Sequence, residues 1–294
     1  MEDLYMSTKS ETNRAVLLIS CPEKLGIISI VSNFLLDHQA NIVRFDQHTT
    51  DPHAGRFFMR IEFDLQDFDS TYENLEQDFQ ALASEHAMDW QLSSMRKRKR
   101  MAIFVSKMDH CLLELIWRWK SKELLVDIPL VISNHAHLGE EVESYGLPFF
   151  HIPLTHETKQ EAEQKAVELM EGKVDFIVLA RYMQILSPSF IAKYPNQIIN
   201  IHHSFLPAFV GANPYVRAFN RGVKLIGATA HYVTNDLDEG PIIQQDVQRV
   251  NHRYTADDLK TAGKHIERMV LADAVSWHVE DRVIVHGNKT IVFE

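Results

Sequence analysis

The chain has 294 residues, 45% hydrophobic and 24% charged, enough for two domains and a sizeable core. Its 30 basic and 40 acidic residues give a net charge of −10, which argues against a protein that coats nucleic acid. Cys21 and Cys111 are the only cysteines, too few for a disulfide framework or a cysteine-based zinc site, and they fit a reducing compartment.

Residues 1–13 are polar, lack the apolar stretch of a signal peptide and read as a flexible N-terminus. No apolar run approaches the roughly 20 residues that cross a bilayer, so a soluble, cytoplasmic protein without membrane contact is expected. From residue 14 the pattern is β-α-β-β-α-β. Residues 15–20 form an apolar strand, 25–36 have helical spacing, and 41–49 and 56–65 alternate as a hairpin about 51–55. Residues 70–84 are helical, with Asp69 or Ser70 as cap, and 88–95 close as a strand. This order predicts a ferredoxin-like domain over 14–95. Its first strand and helix are joined by Cys21-Pro22-Glu23-Lys24-Leu25-Gly26-Ile27-Ile28, and Asn41-Ile42-Val43 opens the second strand. Both segments resemble the signature of the ACT family of regulatory modules. The resemblance implies an amino-acid effector loop about Gly26 and Asn41, and a homo-oligomer, because such modules pair with another copy. Gly26 would let a ligand carboxylate approach the free N–H groups of a helix start. A turn that only packs and pairs fits the same residues.

Arg96-Lys97-Arg98-Lys99-Arg100 follows, five cations that repel one another and read as a basic linker over 96–100. No aromatic residues interleave them, as a nucleic-acid patch would require. Beyond it, strands at 101–106, 126–133 and 174–180 alternate with helices at 111–119 and 158–170. Such alternation predicts βαβ units and a parallel sheet in a second domain, 101–294.

Residues 197–199 predict a further strand, which places Asn200 and His202 on one face where it ends. Asp238 lies in an acidic turn closed by Gly240 and Pro241. An amide, an imidazole and a carboxylate together can hold an oxyanion and move a proton. Taken alone, the same residues equally suit a strand end beside a solvated acidic turn.

Three segments read together are more specific: Val178-Leu179-Ala180-Arg181-Tyr182-Met183-Gln184-Ile185-Leu186-Ser187-Pro188, residues 200–207, and residues 231–241. Over roughly 101–285 they resemble the formyltetrahydrofolate-using formyltransferase family. The resemblance implies a Rossmann-like domain with a mostly parallel sheet, and Asn200, His202 and Asp238 as its catalytic trio. It implies a folate pocket lined by Leu179, Met183, Ile185 and Leu186, with backbone groups from Val233 through Asp236 to Asp238 on the pteridine. His231 would stand beside the site. The substrate would be 10-formyltetrahydrofolate, with no separate cofactor and no metal.

One departure narrows the reading. Relatives that formylate a ribonucleotide amine carry a Gly-rich loop after the first strand, whose backbone cradles a phosphate. Here residues 105–112 contain no glycine, and Asp109 would repel a phosphate. A tRNA acceptor is disfavoured by the net charge of −10. Water is left as the second substrate. An ACT-like domain ahead of such a site, with His203 doubling His202, resembles the family members that hydrolyse 10-formyltetrahydrofolate to formate and tetrahydrofolate, balancing one-carbon pools and supplying formate for purine synthesis. By that resemblance Asn200 and His202 stabilise the oxyanion and Asp238 is the general acid/base. Two other readings stand beside it: formyl transfer to a small amine or sugar nucleotide, and a non-catalytic sensor of folate and amino acid. Cys111 near a helix start could be a nucleophile, although a lone cysteine before Leu112 and Leu113 more often packs. Adjacent His202 and His203 would face opposite ways on a strand and make a poor metal pair. Lys107, Asp109 and His110 border the emptied acceptor side.

Overall fold

A computed structural model describes residues 13–51, 55–66, 68–207 and 214–294. The expectation of a flexible N-terminus therefore falls, apart from Asn13, outside the described residues. The chain divides into two units, with the change between Arg98 and Lys99.

The first unit contains β1 (Arg14–Pro22), α1 (Ile27–Asp37), β2 (Ala40–Thr49), β3 (Arg56–Leu65), α2 (Phe68–Glu85) and β4 (Asp89–Ser94). Its sheet is antiparallel in the order β2-β3-β1-β4, the expected ferredoxin-like arrangement. Alternate β1 residues Ala15, Leu17, Ile19 and Cys21 pack with Val31 and Leu35 of α1 and with Leu75 and Phe79 of α2. Helix α2 begins at Phe68, so Asp69 and Ser70 lie in its first turn. Gly26 stands at the N-terminus of α1 with φ 91°, a left-handed conformation that glycine adopts at little cost.

The other face of β1 is also apolar. Val16 and Leu18, with Phe58 of β3, bury themselves against Ile284, Ile291 and Phe293. Residues 281–284 and 291–294 thus belong to the first unit, where a plain division at the basic segment had kept 101–294 together. A strand with two apolar faces needs cover on both, and the distant end of the chain supplies it.

The second unit runs β5 (Arg100–Val105), α3 (His110–Lys120), β6 (Asp127–Ser133), α4 (Gly139–Ser144), β7 (Phe149–His151), α5 (Lys159–Met170), β8 (Phe176–Ala180), α6 (Pro188–Ile191), β9 (Ile198–His202), α7 (Pro214–Arg221), β10 (Leu225–Tyr232), β11 (Ile242–Arg249) and α8 (Ala256–Val279). A last hairpin, β12 (Val283–His286) and β13 (Lys289–Val292), straddles the division. The seven strands lie in the order β11-β10-β9-β8-β5-β6-β7, with β5 to β9 parallel and β10 and β11 antiparallel. Met101 to Val105 and Phe176 to Ala180 are buried throughout, as a sheet covered on both faces demands. The strand order reverses between β5 and β8, and ligands of open α/β sheets bind at such a switch, beyond the carboxyl ends of the strands.

The basic segment is less solvated than its charge predicts. Arg96 lies 4.1 Å over the Phe68 ring and bonds Asp69. Lys99 donates to the carbonyls of His278 and Val279 at 2.8 and 3.1 Å, a cation closing the negative end of α8. Arg100 opens β5 and pairs with Asp175 at 2.7 Å.

Candidate active site

Strand β9 delivers Asn200 and His202 to the carboxyl edge of the sheet. Antiparallel pairing with β10 sets His231 directly opposite Asn200. The Asn200 amide nitrogen is 3.2 Å from His231 Nε2, while His231 Nδ1 donates to the Tyr232 carbonyl at 2.9 Å. An amide nitrogen carries two hydrogens, so one turned toward His231 leaves the other free.

Asp238 reaches the pair from the loop between β10 and β11. That loop turns back tightly at Gly240, where a Cβ would stand 1.8 Å from the Tyr232 carbonyl oxygen; only glycine passes. Asp238 has φ 58°, a left-handed conformation in which aspartate is enriched. Its Oδ2 lies 3.1 Å from His202 Nδ1, and its Oδ1 lies 3.6 Å from His231 Nε2. Burial opposes its charge, but His202, and after it His231, outweigh burial and hold the carboxyl well below the usual carboxylate range. His202 Nδ1–H thus donates to an ionised Asp238. His202 Nε2 is buried and has no hydrogen-bond partner among the described residues.

His202 itself lines a cavity of about 640 Å³. Leu179, Met183, Ile185, Leu186, Val233 and Asp236 all line it beside Asn200, His202, His231 and Asp238. Apolar side chains share the wall with many polar ones, which suits a flat heteroaromatic ligand that carries hydrogen-bonding groups. The Ser106 hydroxyl accepts from the Met183 amide at 3.1 Å and donates to Asn134 at 2.7 Å, which ties the Met183 segment to the end of β5. Gly26 and Asn41 lie in the first unit and take no part here.

Beside the trio stands a second polar group, centred on Glu267. This side chain is 1% exposed, on the face of α8 that buries Leu259, Gly263, Ile266 and Val270. Its Oε2 accepts from His110 at 2.8 Å, its Oε1 accepts from the Tyr215 hydroxyl at 2.5 Å, and Arg181 Nε is 3.4 Å away. Burial works against ionisation, yet His110, Arg181 and Tyr215 together hold this carboxyl below its ordinary range. Tyr215 reaches it because position 263 is glycine; a Cβ there would fall 2.0 Å from the Tyr215 hydroxyl oxygen. Arg181 stands just past β8 with φ 62°, a strained conformation for this residue, costing of order 1–3 kcal/mol.

His110, Cys111 and Glu267 bring three possible metal-ligand atoms within 4.8 Å of one another. The arrangement is an ion-pair network instead. His110 and Arg181 already face the same Glu267 oxygen, so a metal would meet an arginine cation. Burial pushes the Cys111 thiol up, which disfavours the thiolate that a nucleophile needs. Of this cluster, the sequence pointed to His110 alone as a neighbour of the acceptor side. A carboxylate on the apolar stripe of a helix was the available signal for Glu267.

Residues 99–275 match the family model described as Formyl transferase, and residues 15–80 match the ACT domain model. Fold and site therefore define a formyl transferase domain preceded by an ACT domain. The formyltetrahydrofolate deformylase of Bacillus subtilis is 58% identical over 292 residues, covering 99% of this chain and 97% of its own length. The crystal structure of a formyltetrahydrofolate deformylase from Pseudomonas syringae superposes with a TM-score of 0.93 at 44% identity, covering 100% of this chain and 99% of that one. A second, from Burkholderia mallei, gives a TM-score of 0.90 at 42% identity, covering 96% and 100%. The chain belongs to the formyltetrahydrofolate deformylase family.

Proposed function

We propose that the chain hydrolyses 10-formyltetrahydrofolate to formate and tetrahydrofolate through Asn200, His202 and Asp238. The observation that carries this reading is the His202–Asp238 pair on the cavity wall, whose outer nitrogen is buried and has no partner among the described residues. Water adds to the formyl carbon, and the charge that collects on its oxygen is met by His202 Nε2–H and the spare Asn200 amide hydrogen. Asp238 holds His202 by its other nitrogen, and the pair moves the proton that N10 must gain as it leaves. Neither a resident cofactor nor a metal enters this chemistry. Water is favoured over an amine because the relatives that this chain matches over nearly its whole length are formyltetrahydrofolate deformylases.

Purified protein given 10-formyltetrahydrofolate and no amine should release formate and tetrahydrofolate in equal amounts. Turnover only after an amine is added would make it a transferase, and tight binding without turnover would make it a sensor. Asn200→Ala should lower the rate about 10²–10³-fold, the effect of one oxyanion donor, worth about 2.7–4 kcal/mol. A loss confined to KM would show that Asn200 binds substrate without stabilising the transition state.

The ACT domain adds an amino-acid effector loop at Gly26 and Asn41, and pairing with a second copy, to the same proposal. Saturation at about 100 times Kd stabilises a folded protein by about 2.7 kcal/mol. One amino acid should therefore raise the thermal midpoint of the wild-type protein and leave Gly26→Val unmoved. If none does, the loop's part is structural.

A further inference from the structure

His203 follows the trio histidine and is the least explained polar group around the cavity. Strand β9 ends at His202, so strand alternation stops there and both rings line the cavity, their centroids 5.2 Å apart. Tyr215 lies beyond, at 6.2 Å. His203 is half-buried and makes no hydrogen bond among the described residues. Burial, and next to it the Arg181 guanidinium, lower its pKa to about 4; His202 adds to this, and Glu267 and Asp238 oppose it. The ring is neutral near pH 7, with one N–H and one free lone pair.

Several of the other polar groups that line the cavity are committed or are of the wrong kind to accept. Both Glu267 oxygens are engaged, by Tyr215 and His110. Arg181, Lys260 and Lys264 line the cavity with donors only. Asp238 Oδ2 is taken by His202, and its Oδ1 faces His231 Nε2 at 3.6 Å. Asn200 and His202 supply donors for the formyl oxygen, yet a nucleophilic water also needs an acceptor to aim its lone pair at carbon.

We propose that His203 holds the attacking water: its free ring nitrogen accepts a hydrogen bond from the water and takes that proton as the C–O bond forms. The water oxygen bonds to the formyl carbon while the C=O pair moves onto the formyl oxygen. Collapse restores C=O and breaks the bond to N10, which leaves with one proton from the His202–Asp238 pair. Formate departs as the anion; of the two protons that the water brought, one returns to the His202–Asp238 pair and the other passes to solvent, which leaves His203 neutral again.

This rests on the hydrolytic reading, which the wild-type protein tests by itself; a wild type inert toward water removes the ground for both. Hydroxylamine is a stronger nucleophile that does not need a base. In His203→Ala, hydrolysis should fall about 10²-fold, in the range of an acid–base group. KM should stay within twofold, and formyl transfer to hydroxylamine should fall less than threefold. His203→Gln, whose amide oxygen can accept from water, should recover at least tenfold over His203→Ala. Equal losses toward water and hydroxylamine would mark a structural role and overturn the proposal. So would a His203→Gln no better than His203→Ala, or hydrolysis by His203→Ala within threefold of wild type.

Discussion

Asp238→Asn should lower turnover of 10-formyltetrahydrofolate by about 10²–10⁴-fold, the span of an acid–base group, and leave the fold in place. Asparagine keeps the shape of the side chain and an oxygen for His202 Nδ1, 3.1 Å away in the wild type, but it removes the charge and the capacity to take up a proton. Steady-state kinetics beside a thermal melt separates chemistry from stability, and activity within threefold of wild type would sink the assignment. The pH dependence has a definite sign. The Asp238 carboxyl is held well below its ordinary range, so it adds stability above an unfolded pKa of about 3.9 and loses that contribution as the pH falls further. The wild-type melt should therefore decline more steeply than that of Asp238→Asn below about pH 4.

Glu267→Leu should produce the largest loss of stability. It would leave His110, Arg181 and the Tyr215 hydroxyl without the acceptor they share, in surroundings where Glu267 itself is 1% exposed. Breaking a buried ion pair from one side typically costs about 3–5 kcal/mol. At about 2–4 °C per kcal/mol for a unit of this size, the midpoint should drop by about 6–20 °C. Glu267→Gln keeps one acceptor oxygen and should fall near the smaller figure. A midpoint within 2 °C of wild type for the leucine variant would show the network to be solvated. Glu267 is likewise held below its ordinary range, so its contribution is complete above about pH 4.3 and is lost in stronger acid.

The legible parts of this protein were those that local residues determine. The order β1-α1-β2-β3-α2-β4 follows from runs of alternating and helical periodicity, and the parallel strands β5, β6 and β8 from apolar stretches flanked by helices. Asn200, His202 and Asp238 could be grouped because they occur within compact motifs that resemble a known family. What escaped depended on distant parts of the chain meeting. Glu267 is one acid in a long helix, and nothing near it in the chain names Arg181, His110 and Tyr215 as its partners. The place of His203 was misjudged for a local reason: the strand rule that turns neighbours to opposite faces applies only while the strand continues, and β9 stops one residue earlier. Phe293 gave no local sign that it would cover β1, from which 270 or more residues separate it.

That last arrangement bears on synthesis. Val16, Leu18 and Phe58 leave the ribosome early, but Ile284, Ile291 and Phe293, which shield them, are made more than 220 residues later. At a usual pace of about 5–20 residues per second, the interval is of order 10–50 s. Throughout it the nascent first unit carries an uncovered greasy patch on its sheet, the kind of surface chaperones grip. Expression yield should therefore be more sensitive to shortening the chain by its last four residues than the distance of those residues from the chemistry would suggest.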